Sequence, residues 1–134
     1  FHLRSFSKNL RNELKKSRKI YFYDNGIRNA ILGDFKPTQL RNDIGALWEN
    51  YLVSERLKHN TYNLFYGKSY FWRTQQQQEI DYLEDIDGIL NTYEFKWSNT
   101  KQPKITETFA KNYPNHTYNV INQDNYQLFV KGEI

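Results

Sequence analysis

The sequence contains no cysteine, no methionine and no long apolar run. Without cysteine there can be no disulfide framework, which is typical of a protein that folds in a reducing compartment such as the cytoplasm. No apolar stretch approaches the roughly 20 residues that a membrane-spanning helix needs, and no signal-peptide pattern opens the chain. We therefore expect a cytoplasmic protein without a membrane span. Because methionine is missing even at position 1, we expect a fragment of a longer protein or a chain processed at its start.

Glycine and proline are also scarce, with six and three residues among 134. The glycines are scattered and none belongs to a GxxxxGK[ST] loop, so this chain by itself should not cradle nucleotide phosphates. The GxSxG motif of serine hydrolases is missing as well. The three histidines, His2, His59 and His116, lack the spacing of metal ligands, which argues against a zinc site.

Aromatic residues are abundant, with 11 tyrosines, nine phenylalanines and three tryptophans. They can supply a hydrophobic core where aliphatic residues are few. A chain of this length is expected to form one domain that buries about two-thirds of its unfolded surface. The formal net charge of +4 permits contact with nucleic acid without requiring it.

The first 19 residues carry seven lysines and arginines against a single acidic residue, Glu13. Apolar residues recur there at intervals of three to four, at Leu3, Phe6, Leu10 and Leu14. This spacing predicts an amphipathic helix over residues 1–19. We interpret it as a basic linker helix from an upstream domain, and the alternative is an arm that contacts nucleic-acid phosphates.

The strongest helical pattern covers residues 41–60, with Asn42 or Asp43 as the N-cap. Glu49 lies beside the apolar stripe of that helix, where a carboxylate is uncommon unless it is paired, for example with Arg56 or Lys58. Further predictions are a strand over 20–23, a turn or cap at Asp24, a helical turn or two over 27–35, a strand or hairpin over 61–72, a loop over 75–78, a helix over 103–112, and strands over 117–122 and 126–130. This order predicts a mixed sheet covered by helices, in the α/β or α+β class.

Two segments of alternating side chains, 79–83 and 91–97, lie at the centre of the pattern. Such alternation predicts strands, and the acidic stretch 84–88 between them, which ends in glycine, predicts a hairpin turn. The alternation puts Asp81 on the face of Glu79 and Leu83. Antiparallel pairing would bring Asp81 beside Glu94 and Lys96, and two carboxylates and a lysine at strand centres indicate a site.

These side chains suit one particular chemistry. Asp81 and Glu94, with a backbone carbonyl such as that of Phe95, supply the hard oxygen ligands that Mg²⁺ or Mn²⁺ prefers. Such an ion can lower the pKa of a bound water and neutralise charge on a phosphodiester oxygen. Lys96 could hold that water or stabilise the transition state, and Glu49 could approach from the helix as an outer carboxylate. The alternative is a structural network in which Lys96 neutralises the two carboxylates.

The same residues resemble the motif of a known superfamily. Asp81, followed by Glu94-Phe95-Lys96 on the next strand and preceded by Glu49 on a helix, is similar to the PD-(D/E)xK nucleases. Ile80 stands where that motif has a proline. The resemblance implies Glu49, Asp81, Glu94 and Lys96 as catalytic residues, Asp81 and Glu94 as ligands of Mg²⁺ or Mn²⁺, and DNA as the substrate.

Sequence segments outside this motif resemble a narrower group, the uncharacterised C-terminal domain of bacterial AAA+-superfamily ATPases. The segments that carry this resemblance are KIYFYDNGIRNAILGDF, GALWENYLVSERL, YFWRT, EIDYLE and YEFKW. It implies an α/β, restriction-endonuclease-like fold over residues 20–134, with a core of helix, three strands, helix and strand. It also implies an ATP-binding P-loop domain upstream of residues 1–19, which would explain why the P-loop is missing here.

Two functions other than nuclease activity remain open at this point. The domain could be a non-catalytic module that binds nucleic acid or protein and serves the ATPase, since folds of a nuclease superfamily also host inactive relatives. It could also be an oligomerisation domain.

Overall fold

The structure, a computed structural model, describes residues 1–8 and 11–134. In chain order the elements are β1 (His2–Ser5), β2 (Arg18–Ile20), α1 (Asn25–Leu32), a 3-10 helix (Thr38–Leu40), α2 (Ile44–Tyr62), β3 (Lys68–Arg73), β4 (Glu79–Ile86), β5 (Ile89–Phe95), α3 (Glu107–Asn112), β6 (His116–Ile121) and α4 (Tyr126–Val130). Within the described residues, six strands form one mixed sheet in the spatial order β2-β1-β3-β4-β5-β6. The predicted class, a mixed sheet flanked by helices, is confirmed.

The sheet combines local hairpins with crossover connections. Strands β3, β4 and β5 form an antiparallel meander, whereas β1 pairs with β3 and β5 pairs with β6 in parallel. A parallel pair needs a crossover, and α2 and α3 lie within the two connections. Short β2 pairs antiparallel with β1 and forms one edge of the sheet, while β6 forms the other.

Each face of the sheet carries its own hydrophobic cluster. Neighbouring positions of β4 illustrate the division, because Tyr82 packs in the cluster that contains Leu52 of α2 and Phe129 of α4, whereas Leu83 packs in the cluster that contains Phe109 of α3. All five side chains are at most 1% exposed. Alternation along a strand therefore places α2 and α4 over one face and α3 over the other.

Helix α2 is fixed to the sheet by a buried ion pair. Both oxygens of Glu84 on β4 accept hydrogen bonds from Arg56, from Nε and Nη2 at 2.8 Å each. Asn60 and the Tyr82 hydroxyl donate to the same carboxylate at 2.8 and 2.9 Å. Because these donors satisfy both buried charges, Arg56 belongs to this network and is not a partner for Glu49.

The amphipathic helix expected over residues 1–19 is wrong for the described residues. His2–Ser5 and Arg18–Ile20 are strands of the sheet, and Leu10 lies outside the described residues. Pairing with β3, more than 60 residues away, supplies hydrogen bonds that local spacing cannot reveal. Strand β2 also runs through position 19, where the linker was expected to end.

The strand expected over 126–130 is also wrong, because these residues form α4. Tyr126, Phe129 and Val130 all pack on the same cluster, and the spacing of three and four residues between them is that of one helix face. A segment of five residues is too short for the helical period of 3.6 residues to be distinguished from the strand period of two by sequence pattern alone.

Residues 21–23, expected in a strand over 20–23, lie outside β2, and residues 84–86, expected in the hairpin turn, belong to β4, which leaves Asp87 and Gly88 as the turn. The remaining predicted elements are present with shifted ends. Asp24 is the N-cap of α1 and accepts a hydrogen bond from the Gly26 amide, as the cap prediction requires. The helix expected from residue 103 begins only at Glu107, after the capping side chain of Thr106. Helix α2 begins three residues later and ends two residues later than expected. No helix in the described residues is long and apolar enough to cross a membrane.

Candidate functional site

Strand β4 contains an irregularity at Asp81. On β3, Tyr70 pairs with Leu83 and Trp72 pairs with Ile80, so residues 81–82 of β4 lie opposite a single residue of β3. This extra residue is a β-bulge, which bends a strand and re-aims its side chains. The strict alternation that would place Asp81 on the face of Leu83 is therefore interrupted at this point.

The pairing of β4 with β5 ends at the same place. The last paired residues are Tyr82 and Tyr93. Beyond them, Asp81 Oδ2 accepts a hydrogen bond from the Phe95 amide at 2.8 Å, where a regular ladder would use a backbone carbonyl. The side chain of Asp81 is thus built into the sheet, at the point where the two strands part.

Strand β5 stays fixed by its other neighbour. Its parallel pairing with β6 continues to Phe95 and Ile121, and the Lys96 amide then donates to the carbonyl of Ile121 at 2.9 Å. Lys96 Nζ donates to Glu94 Oε1 at 2.9 Å. Glu94, on β5, and Lys96, directly after the end of β5, are therefore held in place by β6.

Glu49 reaches the site from α2 and is held by the N-terminal strand region. Its Oε1 accepts hydrogen bonds from the Tyr21 hydroxyl at 2.5 Å and from Lys19 Nζ at 2.9 Å. Lys19 also forms an ion pair with Glu79 Oε1. Arg73 donates to the other oxygen of Glu79 from Nε and Nη2, at 3.0 and 2.9 Å.

We call Glu49, Glu79, Asp81 and Glu94 the carboxylate cluster. The pKa of Asp81 is raised to about 7, chiefly by burial and then by the charges of Glu94 and Glu49, while the hydrogen bond from the Phe95 amide and the charge of Lys19 lower it. An opposite charge or a hydrogen bond on the charged form would normally keep such a group acidic. The carboxyl group of Asp81 therefore lies among like charges that its amide partner does not balance.

The basic side chains of the site respond to the same charges. Burial lowers the pKa of Lys96, but the hydrogen bond and charge of Glu94, with the charges of Asp81 and Glu49, raise it overall. Burial also lowers the pKa of Lys19, and its bonds to Glu49 and Glu79 outweigh that effect. Both lysines are therefore cationic at neutral pH. The structure thus brings the four predicted site residues Glu49, Asp81, Glu94 and Lys96 within electrostatic reach of one another.

The donor chemistry fits a hard divalent cation, although a complete metal cage is not preformed. Across residues 1–8 and 11–134, no three histidine, cysteine, aspartate or glutamate side chains are arranged to hold a metal ion. Asp81 nevertheless has no ion-pair partner among the described residues, and it interacts electrostatically with Glu94 and Glu49, whose carboxylate oxygens are of the kind that Mg²⁺ and Mn²⁺ prefer. The predicted metal and catalytic roles stay predictions.

Solvent reaches the cluster from two sides. A cavity of about 260 Å³ beside Glu49 is lined by Lys19, Tyr21, Arg28 and Asn50. A second cavity of about 580 Å³ lies beside Glu79 and includes Arg73 and the loop residues Gln75 and Gln77. Each cavity therefore borders one glutamate of the cluster, Glu49 or Glu79.

Three neighbours of the site were not found from the sequence. Lys19 had been assigned to the basic helix, Tyr21 to a short apolar strand, and Glu79 only to the face of Asp81. No local signal connects β2 with α2, because the contact depends on the pairing of β2 with β1 and of β1 with β3. In an extended segment, Lys19 and Tyr21 alternate with Ile20 and so lie on the same face. This was the one sequence signal that the two side chains could reach a common partner.

Comparison with known proteins connects the chain to a family without a known function. The family described as "Domain of unknown function (DUF4143)" matches residues 44–133, which include the four predicted site residues but neither Lys19 nor Tyr21. An uncharacterized protein of Mycobacterium tuberculosis and one of Mycobacterium bovis are each 30% identical over 102 residues, which is 75% of this chain and 22% of theirs. The chain thus spans about a fifth of the length of these relatives. No solved structure matches it, and its likeness to restriction endonucleases stays a prediction.

Proposed function

The chain belongs to the DUF4143 family, and on that premise we propose that its carboxylate cluster is a metal-dependent phosphodiesterase site that acts on DNA. One observation carries the proposal: Asp81 lies at a bulge, among like charges and without an ion-pair partner in the described residues, beside an ExK triplet. A divalent cation would remove the repulsion that raises the pKa of Asp81.

Each residue has a distinct part in this proposal. Asp81 and Glu94 would hold Mg²⁺ or Mn²⁺, because their carboxylates are the hard donors at the point where β4 and β5 separate. When bound, the ion would supply Lewis-acid chemistry and an acidified water at the phosphodiester. Lys96, fixed by Glu94, would place a positive charge beside the phosphate oxygens. Glu49 would act from α2 as an outer carboxylate, oriented by Tyr21.

The domain would serve as the effector of an ATPase. Domains of this family typically occur in the C-terminal region of AAA-ATPase-like proteins, and the chain spans only about a fifth of the relatives' length. ATP binding would then belong to an upstream P-loop domain, since residues 1–134 carry no such motif.

The direct test is nicking of a supercoiled plasmid with Mn²⁺ or Mg²⁺ at millimolar concentration. We expect cleavage by the wild-type chain and its loss in Asp81→Asn and in Lys96→Ala. Glu55→Gln is the matched control, because Glu55 is a more exposed α2 carboxylate paired with Lys58 outside the site. Cleavage that survives in Asp81→Asn, or a wild-type chain that never cleaves, would overturn the nuclease proposal.

A second candidate, a protein-binding module, is favoured by an apolar surface around α1. Ile27, Ile31 and Leu32 on this helix are 55%, 68% and 57% exposed, and Phe35 and Leu40 beyond it are 72% and 65% exposed. Contiguous exposed apolar residues commonly mark protein contacts.

If a second copy of the chain covers this surface, sedimentation should show concentration-dependent association that Ile31→Glu abolishes. A similar change at Leu64, which is 87% exposed elsewhere, should leave it unaltered. A monomer at all concentrations would exclude self-association.

A further inference from the structure

We infer that the N-terminal region carries a surface that binds the phosphates of double-stranded DNA beside the carboxylate cluster. We call this the basic surface, and its members are Arg4, Arg11, Lys15, Lys16 and Arg18. The sequence left a role in phosphate contact open for residues 1–19, and the structure adds where these cations lie. The choice of DNA rests on the proposed function, whereas the surface itself lies outside the residues that match the family.

The positive charge of the chain is concentrated in this region. The first 19 residues carry seven basic residues and one acidic residue, whereas residues 20–134 carry 12 basic and 14 acidic residues. Lys19 pairs with Glu49 and Glu79, but no member of the basic surface forms an ion pair within the described residues. All five members are exposed. Exposed cations without a protein counter-charge are the electrostatic footprint of a protein that binds a polyanion.

The one acidic residue of this region, Glu13, is an anchor inside the protein. It is only 4% exposed. Its Oε2 accepts hydrogen bonds from Trp72 Nε1 at 2.6 Å and from the Tyr113 hydroxyl at 2.5 Å. These bonds fix the chain around Glu13, while the basic side chains before and after it stay exposed.

The anchored segment adjoins the carboxylate cluster. The Leu14 amide donates to the Arg73 carbonyl at 3.0 Å, and the Arg73 side chain in turn donates to Glu79 of the cluster. Leu14 also lines the cavity of about 580 Å³ that borders Glu79. Lys15 and Lys16 follow directly in the chain, so two exposed cations stand next to the wall of that cavity.

A second observation, at the edge of the sheet, also points to an anionic ligand. Arg4 of β1 pairs directly with Arg18 of β2, so the two side chains are cross-strand neighbours on one face. Like charges at such positions destabilise a pair of strands. Phosphate oxygens beside both arginines would remove this repulsion, since guanidinium groups form strong charge-assisted hydrogen bonds with phosphate.

The composition of the segment favours a duplex over a single strand. Residues 11–18 contain no aromatic side chain. Proteins that bind single-stranded nucleic acid combine cations with aromatic side chains on which the bases stack. Contacts to phosphates alone carry no sequence information, so we expect the surface to bind duplexes of any sequence.

Fluorescence anisotropy of a short labelled DNA duplex, titrated with the 134-residue chain in EDTA, tests the inference without a metal-dependent step. We expect Lys15→Gln/Lys16→Gln to weaken binding at least about tenfold at low salt, because two phosphate contacts are lost. The slope of log affinity against log salt concentration should fall in magnitude by about 1.8, since each contact contributes about 0.9. Circular dichroism establishes folding, and Arg4→Gln/Arg18→Gln replaces this variant if it does not fold.

Lys58→Gln/Lys131→Gln is the matched control, because it removes the same two charges elsewhere. Lys58 lies in the C-terminal half of α2, where it pairs with Glu55, and Lys131 is the C-cap of α4. Glu49 of the cluster lies in the opposite half of α2. The control should therefore bind the duplex as tightly as the wild-type chain does.

The outcomes separate this inference from the proposed function. Binding that is weakened in Lys15→Gln/Lys16→Gln and unchanged in the control supports the basic surface, whether or not the chain cleaves a plasmid. Equal binding by the wild-type chain and this variant, or tighter binding of a single strand than of the duplex, overturns it. Binding through the basic surface by a chain that never nicks a plasmid overturns the nuclease proposal alone.

Discussion

At the scale of single residues, Asp81 is a carboxylate whose charged form is disfavoured by its surroundings. It accepts one backbone hydrogen bond but stands near Glu94 and Glu49, and burial further disfavours its charge. Buried carboxylates without a cation cost free energy, and proteins retain such groups mainly where their charge is used. The unfavourable free energy of the Asp81 charge in the folded state leads to two predictions about stability, neither of which depends on the proposed reaction.

The first concerns removal of the charge. Asp81→Asn should raise the free energy of unfolding of the metal-free chain at pH 8 by roughly 1–2 kcal/mol, because repulsion with Glu94 and Glu49 disappears. The amide oxygen of asparagine can still accept the Phe95 hydrogen bond. Urea unfolding measures the change, with Glu55→Gln as the control expected to differ little from wild type. An unchanged or lower stability of Asp81→Asn would favour a structural salt-bridge network around Lys96.

The second concerns pH. Asp81 has a folded-state pKa of about 7, above the value of about 3.9 expected in the unfolded chain. Between these values the folded state binds more protons, so the contribution of Asp81 to stability is lost as pH rises from about 4 to 7. The stability advantage of Asp81→Asn over wild type should grow across this interval and level off above it. An advantage that stays constant from pH 4.5 to 8 would contradict the shifted pKa.

At the scale of elements, the β4–β5 hairpin sets the position of Asp81 relative to Glu94. Asp87 and Gly88 form a two-residue turn with φ of 54° and 85° between the paired Ile86 and Ile89. Positive φ at both positions is the geometry of a tight hairpin turn whose twist matches the strands. A slip of one residue would move every side chain to the other face, so this turn also sets the register of the site.

The glycine of this turn can be tested directly. Gly88→Ala should lower the free energy of unfolding by about 1 kcal/mol, because a side chain is strained at this positive φ although no atom blocks it. Gly45→Ala in α2 is the matched control, with open space and helical backbone, and should raise stability by up to about 1 kcal/mol. Thermal unfolding followed by circular dichroism gives both values. Equal effects at the two positions would contradict the turn geometry.

Local sequence patterns predict some elements of this fold and not others. Helix α2 and the central hairpin were predictable, because a 3.6-residue period and an acidic turn ending in Gly88 are local signals. Strands β1 and β2 were not, since their hydrogen bonds depend on pairing with a distant strand. The bulge at Asp81 was equally hidden, because it is defined by the register of β3. The predicted site residues could therefore be named from the sequence, while Lys19 could not.

At the scale of the whole molecule, Arg56 connects three parts of the fold. It pairs with Glu84 of β4, and its Nη1 donates to the carbonyls of Phe129 and Ile134 at 2.5 and 3.0 Å. The guanidinium group also lies 4.9 Å from the centre of the Phe129 ring. One buried cation thus holds α2, the sheet and the C-terminal helix together, and with them the helix that carries Glu49.

Breaking this network should destabilise the fold as a whole. Arg56→Leu should lower the free energy of unfolding by about 3–5 kcal/mol, because Glu84 is left charged and buried. The double variant Arg56→Leu/Glu84→Leu should lose less than the sum of the two single variants, since neither charge is then left unpaired. Lys58→Ala, which removes a more exposed pair, should change stability by no more than about 1 kcal/mol. If denaturant titration shows that the double variant loses as much free energy of unfolding as the two single variants together, Arg56 and Glu84 are not coupled.

We propose that Glu49, Asp81, Glu94 and Lys96 form one site that binds a divalent cation. Mn²⁺ is paramagnetic, so an NMR titration of the ¹⁵N-labelled chain reports which amides lie near the bound ion. At substoichiometric Mn²⁺ we predict selective broadening of the amide signals of residues 79–82 and 94–96, and its loss in Asp81→Asn. Absence of broadening in these segments, or equal broadening in Asp81→Asn, would contradict a divalent-cation site at Asp81 and Glu94.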